Sequence, residues 1–444
     1  MRGDASRFCQ NTPCTEPFPA PAMDSIHSVC YHRDERIRGG ECAVKEIRPR
    51  TKERLKYGLQ KGIMGMTVLA MTMVTFASMG TGTTVQAEET LPMPQRDGRV
   101  VLYVSDQANL GLKDDMAPYI DQINYAFALI EDGEASGRHW QGITQAERFV
   151  KKHRHIDGVL AVGGWGAEGF SDACATKEGR TKLADSILKL MDKHGFVGVD
   201  IDWEYPGSSA AGIKSSETDV ENWYELLKTL REGLDQREQE QGREFLLSVA
   251  LGAGKQQLDS VDGAVLNKWV DQAVVMAYDL KGFDRKTGHH AGLYPDGKTP
   301  DSGAYAVQML TDSGLAAEKV LLGIPAYGRM WRQVMGGGNG LNVHAATAGN
   351  KVLRYDELEQ LVSSGYRRYY DDKAQAAWWY NGENFVSGED EQSLRAKADY
   401  LKAKELMGAA VWAQQHDPQG RLLAELDAAL TGYRGEEEAQ EEGD

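Results

Sequence analysis

The sequence predicts an α/β fold, a (β/α)8 TIM barrel with a small α+β insertion between strands seven and eight. Eight strand-like runs recur within residues 98–433, and helix-like stretches separate them, as in repeated βα units. Polar and aromatic residues follow several of these runs, at the strand ends where such barrels carry their chemistry. An open doubly wound sheet is the alternative, but no glycine-rich phosphate loop follows the first strand.

The strands are assigned from short runs rich in β-branched and aromatic residues. In chain order they are residues 100–104, 123–128, 159–164, the stretch 197–206, 245–251, 273–278, 320–325 and 408–412. Amphipathic spacing predicts helices between them, among them residues 181–194, 220–238 and 391–405. The interval between strands seven and eight is too long for one crossover. Because residues 335–388 mix glycines with aromatic, strand-like pieces, we expect the inserted lobe there.

The composition narrows the classes of partner. The 444-residue chain carries a net charge of −16, which argues against nucleic acid and anionic membranes and favours a neutral substrate. Cys174 is the only cysteine beyond residue 62, so the main body has no internal disulfide. A metal site at His289 and His290 is disfavoured, because adjacent loop residues rarely chelate and no third ligand is evident. The sequence therefore offers no evident metal site.

The ends of the chain predict export. Residues 1–62 form an extension that we expect to be disordered or, over residues 1–50, to arise from a false start codon. Basic residues precede an apolar run within residues 63–87, which closes on Val85-Gln86-Ala87, the order of a secretory signal peptide. An uncleaved membrane anchor is the alternative, although 17 weakly apolar residues are short for a span. We expect a secreted monomer without a stable membrane partner, and a disordered acidic tail over residues 434–444.

Three acidic residues share one face of the fourth strand. Strand side chains alternate between two faces, so Asp200, Asp202 and Glu204 lie together, opposite apolar residues. Crowded, buried carboxylates cannot all ionise, and one should hold a proton near neutral pH, as a general acid must. Pro206 ends the strand and leaves Glu204 beside a loop. A structural carboxylate cluster or a cation site is the alternative interpretation.

Residues 200–206, Asp-Ile-Asp-Trp-Glu-Tyr-Pro, resemble the catalytic signature of glycoside hydrolase family 18, the chitinases and their relatives. The resemblance extends over residues 99–430 through segments at other strand ends: Asn124-Tyr125-Ala126-Phe127, Ala161-Val162-Gly163-Gly164-Trp165, Met276-Ala277-Tyr278-Asp279 and Tyr327-Gly328-Arg329. Val197 replaces a family Asp, and its odd offset from Glu204 places it on the opposite face. Ala161 replaces a family Ser whose hydroxyl can bond the buried acid. We therefore expect Asp200 to find water or another partner, and the pH profile to shift.

The resemblance implies substrate-assisted retaining hydrolysis, in which the sugar's own 2-acetamido oxygen attacks the anomeric carbon. It assigns Glu204 as general acid and later base, Asp202 as the group that orients the acetamido N–H, and Asp200 as its support from beneath. Tyr278 would hydrogen-bond the acetamido oxygen. The mechanism that the resemblance implies needs neither a metal nor an organic cofactor. The substrate-binding residues implied are Tyr103, Phe127, Gly164, Trp165, Tyr205, Met276, Asp279, Tyr327, Arg329 and Trp412.

These implications favour a secreted hydrolase of β-1,4-linked N-acetylglucosamine, as in chitin or its oligosaccharides. An endo-β-N-acetylglucosaminidase acting on N-glycans, or a peptidoglycan hydrolase, is the nearest alternative. A chitin-binding lectin without activity is a third, although such proteins usually lose the residue at Glu204. The sequence leaves open whether cleavage is endo or exo.

Overall fold

The computed structural model describes residues 96–297 and 299–432. The expected N-terminal extension 1–62, the signal segment 63–87 and the acidic tail 434–444 lie outside the described residues, so these expectations stay predictions. Within the described ranges, no helix is both long and apolar enough to cross a membrane.

Eight parallel strands form a closed barrel. In chain order they are β1 Arg99–Ser105, β2 Gln122–Glu131, β4 Asp157–Gly163, β5 Gly198–Asp202, β6 Leu246–Gly252, β7 Gln272–Met276, β8 Val320–Pro325 and β16 Gly408–Trp412. Each pairs with its sequence neighbour in the barrel, and β1 pairs with both β2 and β16, which closes the ring. A short strand, β3 Glu134–Ser136, adds to β2 in antiparallel fashion. The predicted (β/α)8 barrel is confirmed.

Helices surround the barrel. They are α1 Ile143–Lys152, α2 Phe170–Cys174, α3 Lys177–Lys193, α4 Asp219–Gln241, α5 Lys255–Leu258, α6 Gly263–Trp269, α7 Gly303–Asp312, α8 Tyr355–Leu358, α9 Glu391–Ala403 and α10 Arg421–Thr431. Local sequence sets their ends. The Thr176 hydroxyl accepts a hydrogen bond from the Gly179 N–H at the start of α3. Gly242 ends α4 with a φ of 67°, a left-handed conformation that glycine adopts without steric cost.

The insertion between the seventh and eighth barrel strands is an antiparallel lobe. Its five-stranded sheet has the order β12-β9-β15-β14-β13, with β9 Tyr327–Trp331, β12 Lys351–Arg354, β13 Arg367–Asp371, β14 Ala376–Tyr380 and β15 Phe385–Gly388. The short pair β10 Val334–Met335 and β11 His344–Ala345 lies beside it in sequence. The sheet starts at Tyr327, two residues after β8 ends, and therefore earlier than residue 335. This short connection ties the lobe directly to the rim of the barrel.

Two apolar layers flank the barrel wall. Val199, Ile201 and Trp203 belong to the large core between the strands and the helices. A smaller cluster fills the barrel interior, and Tyr103 and Ala161 belong to it. The predicted alternation is confirmed within β5, where Val199 and Ile201 face the helices and Asp200 and Asp202 face the barrel interior, but the strand ends at Asp202, so Glu204 lies just beyond it rather than within it.

Candidate active site

A cleft of about 390 Å³ lies at the C-terminal ends of the barrel strands. Of the fourteen residues singled out from the sequence, twelve line it: Tyr103, Phe127, Trp165, Asp202, Glu204, Tyr205, Met276, Tyr278, Asp279, Tyr327, Arg329 and Trp412. The other two, Asp200 and Gly164, do not line the cleft. Residues from six barrel strands and from the lobe therefore converge on one place.

Asp202 and Glu204 carry the acidic chemistry of the cleft. Asp202 is the last residue of β5, and Glu204 follows in the loop that leaves the strand. Burial raises the pKa of Asp202 well above its ordinary value, and the negative charges of Glu204 and Asp200 raise it further. Burial likewise raises the pKa of Glu204 to about 7, opposed by a hydrogen bond from Tyr205 and assisted by the charge of Asp279. Both groups can therefore hold a proton near neutral pH.

Asp200 lies below the cleft, inside the barrel. It is fully buried, and the Tyr103 hydroxyl donates a 2.8 Å hydrogen bond to its Oδ2. Burial raises its pKa, while hydrogen bonding from Ser248, Tyr103 and Asn124 opposes the rise. Strand register places Ala161 on one side of Asp200 and Ser248 on the other. Asp200 thus supports the site from beneath and has no direct access to a ligand.

Asp279, three residues after the end of β7, is a fixed negative charge in the cleft. The Arg329 guanidinium donates to both of its oxygens, at 2.5 Å from Nε to Oδ1, and the Tyr327 hydroxyl donates to Oδ1 at 2.8 Å. His290 Nδ1 lies 3.6 Å from the same oxygen. Burial alone would raise the pKa of Asp279, but His290 and Arg329 hold it far below its ordinary value. Asp279 therefore stays ionised, and its carboxylate is held in one orientation.

Aromatic side chains give the cleft a flat, apolar floor. The Trp412 ring lies 5.5 Å from the Tyr103 ring and 5.7 Å from the stacked Phe127 ring, measured between centroids. At the rim, Trp165 is 45% exposed and meets the Tyr205 ring edge-on at 6.3 Å. Indole faces of this kind pack well on the apolar face of a ring-shaped ligand.

Gly164, which the resemblance assigns to substrate binding, lies beside the cleft residues and does not line the cleft itself. A Cβ on Gly164 would lie 2.6 Å from the Phe127 ring, and one on Gly163 would lie 2.1 Å from the Asp202 carbonyl oxygen. Both have positive φ values, of 93° and 117°. The glycines therefore allow close packing around Phe127 and the acid-bearing strand.

Several cleft residues were not predicted from the sequence. They are Ala250, Gly252, Ala253, Gly254, Gln257, Leu280, Phe283, Asp301, Val352 and His416. The sequence gives only weak signs of two of them. Phe283 is an aromatic residue whose exposure, 39%, appears only in the structure, and His416 follows Trp412 by four residues. In the described part of the chain, no three His, Cys, Asp or Glu side chains are grouped so that they could hold a metal ion.

Comparison with known proteins places this cleft in a family. The profile described as Glycosyl hydrolases family 18 matches residues 99–417. The chain belongs to glycoside hydrolase family 18. Chitinase A1 of Niallia circulans is 32% identical over 311 residues, which cover 65% of this chain and 44% of that protein. Chitinase 1 of Aphanocladium album is 31% identical over 289 residues, which cover 63% of this chain and 66% of that protein.

The family 18 structures agree with the fold. A family 18 N-acetylglucosaminidase from Paenibacillus barengoltzii is 33% identical, with a TM-score of 0.71, and the match covers 75% of this chain and 100% of that one. The chain spans less than two thirds of the two curated relatives, 44% and 66% of their lengths. Family membership confirms the resemblance drawn from the sequence.

Proposed function

We propose that this protein hydrolyses β-1,4-linked N-acetylglucosamine, as in chitin or its oligosaccharides, with retention at the anomeric carbon. The observation that carries the proposal is the pair Asp202 and Glu204, which line the cleft with raised pKa values. A general acid works best when its pKa lies near the working pH, and that of Glu204 is about 7. The names of the related chitinases support the same substrate.

Glu204 protonates the glycosidic oxygen and thereby allows the bond to the leaving sugar to break. The substrate's 2-acetamido oxygen attacks the anomeric carbon, and a cyclic oxazolinium intermediate forms. The ionised Glu204 then takes a proton from water, which opens the intermediate from the face that the leaving group vacated. General acid catalysis contributes roughly 10²–10⁴-fold to such a reaction.

Asp202 and Tyr278 hold the acetamido group in line for this attack. Asp202 accepts a hydrogen bond from the acetamido N–H and stabilises the positive charge that develops on the ring. The Tyr278 hydroxyl, whose pKa is raised by burial and by the nearby carboxylates, stays protonated and donates to the acetamido oxygen. Trp412 supports the sugar ring from below. Holding the reacting groups in this geometry is worth several kcal/mol, on the order of 7–11 at best.

The test is product analysis with N-acetylglucosamine oligomers, comparing the native chain with Glu204→Gln and the control Glu221→Gln. Glu221 is exposed in the first turn of α4 and does not line the cleft, so the control makes the same change of charge outside the site. We expect cleavage by the native chain and the control, and none by Glu204→Gln. Tight oligomer binding without cleavage by the native chain would instead indicate a lectin.

A second candidate is the removal of single N-acetylglucosamine units. The Paenibacillus barengoltzii relative, which is matched along its whole length, is described as an N-acetylglucosaminidase. Monosaccharide released from the start of the reaction would favour this mode, and disaccharide would favour a chitobiose-producing mode. If oligomers are neither cut nor bound, N-glycans and peptidoglycan are the next substrates to assay.

We also propose that the protein is exported, on the strength of the signal-like segment 63–87. Expression of the full chain in a bacterial host, followed by mass spectrometry of the medium, tests this. A secreted product that begins at Glu88 is the expected result. Product retained in the cells with an intact N-terminus would contradict it.

A further inference from the structure

The barrel interior contains buried polar side chains that play no part in the proposed reaction. Gln122 and Asn124 on β2 are fully buried, and Gln272 on β7 is 1% exposed. The two glutamines exchange hydrogen bonds of 3.1 and 2.9 Å across the barrel, and Gln122 Nε2 also donates to Asn124 Oδ1 at 2.6 Å. Buried amides of this kind are costly unless their hydrogen bonds are made.

Arg99 fixes the orientation of these amides. Its guanidinium can only donate, and its Nε donates to Gln122 Oε1 at 3.2 Å. The Gln122 amide nitrogen must therefore point the other way, toward Asn124, whose oxygen accepts from it. An ion pair with Asp157 holds Arg99 in turn. The amide orientations follow from this donor and acceptor network, and the Asn124 nitrogen is left over as a buried donor.

The leftover donor has a matching acceptor. Asn124 Nδ2 and Asp200 Oδ1 are both buried, and neither has a hydrogen-bond partner of good geometry within the described residues. Asn124 is the register neighbour of Tyr103, whose hydroxyl reaches Asp200, and hydrogen bonding from Ser248, Tyr103 and Asn124 lowers the pKa of Asp200. The other Asp200 oxygen is already bound by the Tyr103 hydroxyl. Ala161, the register neighbour of Asp200 on β4, has no polar group to offer.

We propose that Asn124 is a positioning residue of the active site, which donates to Asp200 Oδ1 and is held for that task by Gln122, Gln272 and Arg99. Asn124 does not line the cleft and so acts only through Asp200. A donor at this oxygen favours the ionised form of Asp200. With Asp200 ionised, a proton shared by the two aspartates lies on Asp202, whose other oxygen still accepts from the acetamido N–H, while the negative charge of Asp200 lies beneath the reacting sugar and Glu204 keeps the proton that it transfers. The inference rests on the proposed function for its kinetic readout.

Other groups also face Asp200. The titratable ones are Tyr103 from β1, Asp202 from β5 and Tyr278 from the loop after β7, and Ser248 adds a hydroxyl from β6. Tyr103 and Tyr278 stay protonated, because burial and the nearby carboxylates raise their pKa values well above 10. The charge of ionised Asp200 raises the pKa of Asp202, so the ionisation of Asp200 changes the protonation of the site, and a donor to Asp200 moves the acidic limb of the activity profile.

The test compares pH profiles of kcat/KM for the native chain, Asn124→Leu, Ala161→Ser and the double variant. Asn124→Leu keeps the volume and removes the donor, so the acidic limb should move up by about one pH unit, the size of one hydrogen bond to a charged group. Ala161→Ser places a hydroxyl beside Asp200, so it should move the limb down and restore the double variant. The basic limb, set by Glu204, should stay in place.

Val274→Ala is the matched control. Val274 is buried in the same barrel interior and does not line the cleft, so its truncation should lower stability without moving either limb. An Asn124→Leu profile that overlays the native one would overturn the inference. A shifted profile that Ala161→Ser fails to restore would also overturn it, because the missing group would then not be a donor to Asp200.

A second readout does not depend on hydrolysis. Since the donor favours ionised Asp200, the stability lost in Asn124→Leu should be larger at pH 7 than at pH 3, and Ala161→Ser should recover the difference. Val274→Ala should lose the same amount at both pH values. An Asn124→Leu loss that is equal at both pH values would overturn the inference. An inactive native chain that shows the expected pH dependence would refute the proposed function alone.

Discussion

Replacing Glu204 with glutamine should stabilise the protein at alkaline pH. Burial raises the pKa of Glu204 from the ordinary 4.5 to about 7. Between these values the folded state binds more protons at this group than the unfolded chain does, so stability falls as the pH rises through the interval. At about 1.36 kcal/mol per pH unit, the full loss above pH 7 is about 3 kcal/mol. Glutamine keeps the shape of the protonated acid and carries no charge to desolvate.

The assay is denaturant unfolding of the native chain and Glu204→Gln at pH 4 and pH 9. We expect nearly equal free energies of unfolding at pH 4, where both side chains are neutral, and an advantage of up to about 3 kcal/mol for the variant at pH 9. Glu221→Gln, on the exposed face of α4, should show no such change. An advantage of the same size at both pH values would refute the argument, because it could not come from the ionisation of Glu204.

Two further substitutions test other parts of the cleft. Arg329→Met leaves the partly buried Asp279 carboxylate without its main partner, so we expect a loss of up to about 3 kcal/mol in the free energy of unfolding, with Arg329→Lys losing less. Equal losses for the two variants would contradict the role of the charge. Tyr278→Phe removes one donor from the reacting acetamido group, so kcat should fall about 10²–10³-fold with little change in KM, measured by steady-state hydrolysis of a chromogenic oligomer. A rise in KM at constant kcat would mean that Tyr278 only binds the substrate.

Sequence patterns predicted the barrel well because each barrel strand is an apolar run and is mostly separated from the next strand along the chain by a helical segment. The predicted strands 320–325 and 408–412 match β8 and β16 in full. The prediction for 273–278 ran two residues too far, since the Ala277 N–H donates to the Val275 carbonyl and turns the chain after Met276. Strand β9 was missed because it is buried on both faces, and so carries no alternation of polar and apolar residues.

The active site was predictable where the residues lie close together in sequence. The acids of β5 and the pair Tyr278 and Asp279 form short motifs whose position at strand ends indicates their exposure to a cleft. Phe283 and His416 line the same cleft, but they are brought there by the path of long loops that local patterns do not describe. Asn124 is harder still, because its significance appears only in the folded sheet, where β2 and β5 both pair with β4 and their inward-facing side chains share the barrel interior.

The two departures from the family pattern, Val197 and Ala161, should affect the site differently because their side chains lie on opposite sides of the barrel wall. Val197 precedes β5 on the side that faces the helices, half-buried, and its N–H donates to the Gly158 carbonyl at 2.8 Å. Its side chain is therefore separated from the acids by the strand itself. Ala161 points into the barrel and adjoins Asp200 in register, where the absence of a hydroxyl leaves one carboxylate oxygen to be satisfied from elsewhere. The chemistry of Asp200 thus depends on β2, which is separated from β5 only by β4, where the Asn124 nitrogen is the only amide donor among Gln122, Asn124 and Gln272 that has no hydrogen-bond partner within the described residues.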